Sequence, residues 1–398
     1  MLSLRRGVVV EVVSQHDQAE ALVRVEVDGD LAEAVAQVAL VGECAPGDEV
    51  IVNVAAVELG LGSGGRHVVH ANLTRGLAGT ARPEAHVMKL NYTSLQHGVA
   101  PVEGTGKGGR EALPRGRPTG VLALHGQLAP VAFAFGAAAP GARLGYVQTA
   151  GGALPGAHSR VVHELRARGW LAGHLTAGPA FGGEGEAMHT VGAIEHGLGR
   201  LGWDAVVCGP GPGIVGSASA LGHGGMVALD SAHAALALGC PTLLVARMSS
   251  GDARSRHRGL SHHTLTALDL LLAPVTVALP SGLLSPVGRE LGAGLRRIFV
   301  REGEGAGSGP VETSTATSDP PDPPDARPAR IARHDWRRAA VDLPGYGASG
   351  LPAETMGRGL AEDPLFFAAA LAAGGVLAEL ATGGDGDDVE DEAGEAWA

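Results

Sequence analysis

Over the first 75 residues the apolar positions fall in short, valine-rich runs at 7–13, 21–27, 35–40, 49–54 and 68–73. Turn formers separate them: Asp28-Gly29-Asp30, Pro46-Gly47-Asp48 and the glycines between Gly60 and Gly65. Runs of this length, bounded by Gly, Pro and Asp, predict strands. Five short strands at this spacing predict a small N-terminal β-barrel over residues 1–75.

Residues 76–118 read as a connector, with one ordered-looking piece at 87–92 and a Gly/Arg/Pro-rich stretch over 104–118 that predicts an exposed loop. From Thr119 the pattern changes. Apolar runs at 121–124, 143–148, 171–176, 205–208, 242–246 and 275–279 alternate with helix-length segments at 128–138, 159–168, 187–201, 217–238 (broken by glycines) and 263–272. Such alternation predicts a Rossmann-like α/β domain, a parallel sheet with helices on both faces, over 119–300. Residues 303–330 hold almost nothing apolar and predict a disordered linker. Over 331–381 an apolar helix at 366–380 is expected to pack back on the α/β domain, and 382–398 reads as an acidic, disordered tail.

Composition narrows the function classes. The 398 residues suffice for two domains. The formal charge is -12, and Asp385, Asp387, Asp388, Glu390, Asp391, Glu392 and Glu395 in the tail supply more than half of it. The remainder is only mildly acidic and shows no basic stripe, so no nucleic-acid partner is expected. Cys44, Cys208 and Cys240 are too scattered for a disulfide framework or a zinc knuckle, which fits reduced thiols in a cytoplasm. The run at 7–13 is too short for a signal peptide, and no stretch reads as a membrane span, so a cytoplasmic protein with no membrane partner is expected.

In open parallel sheets ligands bind outside the carboxyl ends of the strands. Successive strand ends here carry His125-Gly126-Gln127, then Thr149, Gly151 and Gly152, then the stretch from Gly178 to Glu186 with His189 beyond, then Gly209-Pro-Gly211-Pro-Gly213-Ile-Val-Gly216, and finally Arg247, Ser249, Ser250, Gly251 and Asp252. In the glycine run, Gly209, Gly211, Gly213 and Gly216 let backbone approach a ligand, and a following helix N-terminus would favour an anion. A tight turn with close helix–strand packing asks for the same glycines. The run formally matches a dinucleotide fingerprint, but it follows the fourth strand rather than the first, and its candidate acid, Asp230, lies in a helical stretch.

The segment 249–264 is the densest in groups capable of chemistry. Arg254, Arg256 and Arg258 offer forks for phosphate or carboxylate, and His257, His262 and His263 can act as acid, base or metal ligand. Ser261 is a natural helix N-cap. Adjacent histidines at a helix start diverge by about 100°, so at most one of His262 and His263 is expected to face a site. His125, Glu184, Glu186, His189, His257 and His262 could converge on a metal, but no ligand spacing defines one. Cys208 reads as a buried strand-end thiol before it reads as a nucleophile, and Lys89, one of two lysines, as a surface residue.

Three segments together carry a family resemblance: the run from Gly209 to Gly216, the segment Arg256-His-Arg-Gly-Leu-Ser-His-His-Thr-Leu-Thr-Ala-Leu268, and Thr355-Met-Gly-Arg358 with Glu362-Asp-Pro-Leu-Phe-Phe367. The chain resembles the domain-of-unknown-function 3866 family of bacterial proteins over nearly its whole length, apart from 303–330 and the acidic tail. The resemblance implies no activity. It draws attention to Met356, Arg358, Glu362 and Asp363, which either complete a site or cap the C-terminal helix.

The expectation is an enzyme acting on a small anionic metabolite. The glycine run and His125 would hold the ligand with Arg254, Arg256, Arg258 and Ser261, while His257, His262 and Asp252 would serve catalysis. The alternative is a non-catalytic binding or regulatory protein with the barrel as its interaction module. Cofactor, metal and oligomeric state stay open at this point.

Overall fold

The computed structural model describes residues 2–16, 20–60, 65–75, 85, 87–104, 114–217, 219–281 and 327–383. Of the expected disordered linker over 303–330, residues 303–326 lie outside the described residues, as do most of the 104–118 loop, the turn at 61–64 and the acidic tail from 384, while 327–330 are not disordered but open a helix, Arg327–Ala332.

The N-terminal strands are β1 (Leu4–His16), β2 (Glu20–Val27), β3 (Asp30–Gln37), β4 (Glu49–Asn53) and β5 (His67–Asn72), closed into a barrel in the order β1-β2-β3-β5-β4. β1 pairs with both β2 and β4, and register shifts between Val9/Glu11 and Val12/Ser14 bend it around the barrel. Alternate residues point inward, so Val9, Val23, Val25, Val50, Val52 and Val69 fill the interior. Asp28 and Gly29 both take positive φ, giving the two-residue turn that joins β2 to β3. The third strand begins five residues earlier than the apolar run suggests, and residues 38–41 form a helical turn, α1 (Val38–Val41). A second turn, α2 (Ala55–Glu58), follows β4.

A hairpin of β6 (Val87–Lys89) and β7 (His97–Val99) leads to the large sheet. Its strands are β8 (Thr119–Val121), β9 (Leu144–Thr149), β10 (Gly173–Ala177), β11 (Gly185–Ala187), β12 (Ala205–Pro210), β13 (Thr242–Leu244), then, past the short β14 (Met248–Ser249) and β15 (Gly259–Leu260), β16 (Thr276–Ser281) and β17 (Asp335–Ala340). The order is β11-β10-β9-β12-β8-β13-β16-β17, and every pairing is parallel. This is the expected Rossmann-like sheet behind a barrel. β17, with Asp335, Arg337 and Arg338 in its sequence, carries no apolar run and was not expected as a strand; it sits at the edge, where charged side chains reach solvent.

The helices between are α3 (Leu128–Ala138), α4 (Arg160–Ala167), α5 (Thr190–Glu195), α6 (Val227–Ala237) and α7 (His262–Leu270), followed by α8 (Arg327–Ala332), α9 (Leu343–Ala348) and α10 (Pro364–Thr382). Helices α3, α4 and α10 cover one face of the sheet, with Leu144, Tyr146 and Val207 beneath them, while α5 and α6 cover Val147, Val206 and Cys208 on the other. The expected helix over 187–201 is the end of a strand, α5 and a wide helical turn over 196–200; in the one over 217–238 the helical residues begin at 224, and Ser217 and 219–223 are not helical. Trp203 explains three glycines: a Cβ on Gly145, Gly173 or Gly197 would stand within 2.5 Å of its ring.

Helix α10 is apolar on all sides. By length and composition it could cross a membrane, which no stretch was expected to do, yet 72% of its most apolar window is buried inside the protein. A helix buried on every side reads as a core helix.

Candidate functional site

The carboxyl ends of the three central strands, β12, β8 and β13, bring the glycine run, His125 and the segment after Ala246 to one end of the sheet. There they border an open cleft of about 720 Å³. Two functions separate within the glycine run. Gly209 and Gly211 lie behind the wall, where a Cβ would stand 2.7 Å from Leu122 and 2.2 Å from the Ala153 carbonyl. Those two are needed for packing. Gly213, at φ 75°, and Gly216 line the cleft. The run is not followed directly by a helix: Gly216 bridges to His223, and the first helical turn starts at Gly224.

His125 borders the cleft but has both ring nitrogens engaged, Nδ1 with the Pro210 carbonyl (3.1 Å) and Nε2 with Ser159 Oγ (2.7 Å). Burial lowers its pKa to about 4. Gln127 ties the strand ends together, accepting from the Ala123 and Leu124 amides and donating to the Val245 and Ala246 carbonyls.

Asp252 and Asp363 organise the Arg/His segment. Asp252, 2% exposed, takes a two-pronged bond from Arg254, at 2.9 Å and 2.8 Å. Arg247 and Arg358 stand 3.6 and 3.5 Å from the same carboxylate. The Arg254 hydrogen bond is the main reason its carboxyl titrates far below the usual range. Asp363, fully buried at the start of α10, accepts from Ser249 Oγ (2.6 Å), the Ser250 amide (2.8 Å) and Arg358 Nε (3.0 Å). The motif around 355–367 thus both starts the C-terminal helix, at Asp363, and packs on the Arg/His segment, with Thr355 and Met356 bordering the cleft. The antiparallel pair β18 (Glu354–Thr355) and β19 (Arg358–Gly359) also holds Met356 at positive φ over the cleft, a conformation that costs a non-glycine residue about 1 kcal/mol.

Arg247 is 4% exposed, lines the cleft, and donates from Nη1 to His263 Nδ1 at 3.0 Å. Its Nε finds no hydrogen-bond acceptor among the described residues. Burial lowers its pKa to about 10. His257, His262 and His263 each offer one nitrogen, all within 4.8 Å of one another. His223 stacks on His263 with ring centroids 3.4 Å apart. Burial is the largest cause that lowers His257 to about 3 and His263 to about 2, with neighbouring arginines and histidines adding to it. Both imidazoles are neutral near pH 7 and can offer lone pairs.

Of the residues singled out from sequence, His125, Gly213, Gly216, Arg254, Arg256 and His257 line the cleft. Asp252, Ser261 and His262 stand behind that lining: Ser261 caps α7 through the His263 amide and bonds His257 Nδ1 at 2.8 Å. Arg258 is turned back to the Asp252 carbonyl. His263 rather than His262 borders the cleft, yet their rings remain only 4.2 Å apart. The other metal candidates do not join them: Glu184 pairs with Arg166 and Glu186 with Lys89, which is buried rather than on the surface. Arg247 and His223 had no role assigned from sequence. The available signal for Arg247 was its position directly after a central strand.

A model of the family described as protein of unknown function (DUF3866) matches residues 33–374. No curated protein and no solved structure matches the chain.

Proposed function

The chain belongs to the DUF3866 family, and we propose that its cleft binds a small anion bearing a phosphate or carboxylate group. The observation that carries this reading is Arg247, a buried guanidinium on the cleft wall whose Nε has no acceptor among the described residues. A buried charge with an unmade hydrogen bond is costly. The nearest carboxylate, Asp252, is already gripped at both oxygens by Arg254. An oxyanion from outside the chain fits the guanidinium fork. Arg254 and Arg256 border the same space, against one lining carboxylate, Glu354.

The enzymatic form of this reading places His257, which borders the cleft, beside the bound group with His262 behind it, so that an imidazole exchanges a proton with the ligand. Asp252 then positions arginines and carries no proton. The histidine cluster favours this form over a purely sensing one with the barrel as contact module, because holding an anion does not require three imidazoles together.

Calorimetric titration with inorganic phosphate and with small dicarboxylates tests the reading. At least one is expected to bind, and Arg247→Met is expected to weaken it about 10- to 100-fold, the worth of a charged hydrogen bond. The melting temperature should change little, since Asp252 keeps its two-pronged bond to Arg254 and loses only the 3.6 Å contact with Arg247. Equal affinity in both proteins contradicts the reading.

A further inference from the structure

Sequence spacing defines no metal motif, yet the fold gathers three imidazoles that no ligand spacing would have paired. His257 comes from the short helical turn Ser255–His257, and His262 and His263 open α7. The ring centroids are 4.9 Å apart for His257 and His262, 4.8 Å for His257 and His263, and 4.2 Å for His262 and His263. We propose that His257, His262 and His263 form a three-histidine site for a divalent transition metal of the zinc type, with its remaining coordination position facing the cleft.

The chemistry of the donors supports this. Three imidazoles with one open position are a ligand set that zinc accepts in catalytic sites, at nitrogen distances of about 2.0–2.1 Å. Around a tetrahedral ion such nitrogens lie about 3.3 Å apart. The nitrogens here, within 4.8 Å of one another, are about 1.5 Å or less from that spacing, a shift on the scale of side-chain rotation. His257 already has the outer support of a metal ligand. Its Nδ1 is bonded to Ser261 Oγ at 2.8 Å, which fixes the ring, and an ion at Nε2 would replace the long 3.5 Å contact that nitrogen receives from Arg256 Nε. Ser261 is in turn held as the N-cap of the helix that carries the other two histidines.

The arginines are the obvious objection, because a cation is being placed among cations. Two observations answer it. Asp252 and Asp363 are buried beneath Arg247, Arg254 and Arg358 and offset two of those three charges. In addition, Arg247 Nη1 already occupies the lone pair of His263 Nδ1 at 3.0 Å, so the cluster holds a positive group in this structure. A metal ion replaces that contact at the cluster and frees the guanidinium towards the cleft. The open coordination position then takes water, hydroxide or an anionic ligand, which balances the charge. The inference concerns the histidines alone and does not depend on what the arginines bind.

The test uses the full chain, stripped with chelator, loaded with zinc, passed through a desalting column and analysed for metal. About one zinc per chain is expected. His257→Ala and His262→Ala are each expected to lose it, while His189→Ala, an exposed histidine outside the cluster, keeps it. Should either alanine variant fail to fold, cobalt(II) titration of the wild-type chain decides. Intense visible bands of a tetrahedral, nitrogen-ligated ion are expected, abolished by competing zinc. No retained zinc in wild type, retention unchanged in folded His257→Ala and His262→Ala, or an octahedral cobalt spectrum would each overturn the proposal. Phosphate titration of the metal-stripped chain keeps the two readings apart: anion binding there with no metal retention sinks only the metal site, and metal retention with no anion binding sinks only the anion reading.

Discussion

At Asp252 three guanidinium groups converge on one carboxylate that is 2% exposed, and only Arg254 makes full use of it. Removing that carboxylate strands Arg247 in a buried position. Asp252→Ala is therefore expected to lower stability by about 3 kcal/mol or more in urea unfolding, the range for breaking one side of a buried pair. A loss under 1 kcal/mol would show that solvent already satisfies these arginines. His125 and His174 set a second residue-level expectation. Burial lowers them to about 4 and about 3, against about 6.5 in the unfolded chain. Above pH 6.5 neither state binds the extra proton and there is no penalty. As pH falls from 6.5 to about 4 the unfolded chain takes up protons that the folded chain refuses. Stability drops with a slope of up to about 1.4 kcal/mol per pH unit for each residue. The contribution of His125 is lost in full by about pH 4. Urea midpoints at pH 7 and pH 4.5 should diverge less in His125→Gln than in wild type, and equal divergence contradicts the assignment.

At the scale of elements the contact between α3 and α10 is the most sensitive. Gly374 lets the two helices meet: a Cβ there would stand 2.3 Å from the Val131 carbonyl and 2.8 Å from the Ala134 side chain. Backbone cannot yield as a flexible side chain does, so Gly374→Ala is expected to cost at least 1–3 kcal/mol by overpacking. Gly375, one residue on, meets nothing within 4 Å, and Gly375→Ala should be neutral or slightly stabilising. The same melting experiment on both variants checks the pair. Elements with a strong apolar period were legible in the sequence: the barrel strands, α3, α4 and α10 all lie within a few residues of their apolar runs. β17 was not legible, because an edge strand with Asp335, Arg337 and Arg338 lacks that period. The wide turn at 196–200 was hidden for another reason, since its hydrogen-bond spacing leaves no mark in His196-Gly-Leu-Gly-Arg200 beyond Gly197, which packs on the Trp203 ring. In the site, Arg254, Arg256 and His257 were legible as a dense polar segment. The division of the glycine run into packing and lining positions was not, because both uses select the same residue.

At the scale of the whole molecule, segments far apart in the chain converge. Three central strand ends and a hairpin more than 90 residues further along the chain, with Met356 at its tip, border one cleft. Arg247 stands on that wall with a hydrogen-bond donor left over. The arrangement makes sense if an oxyanion completes it, and the imidazoles of His257 and His263, which border the cleft, then sit beside the bound group. The most direct measurement is a diffraction structure of the full chain soaked in tungstate, an electron-dense stand-in for phosphate. A tungstate peak within hydrogen-bond distance of Arg247 Nε, bordered by Gly213 and Arg254, is the predicted result. An ordered cleft with no peak there, or with Arg247 Nε bonded to a protein acceptor, would contradict it.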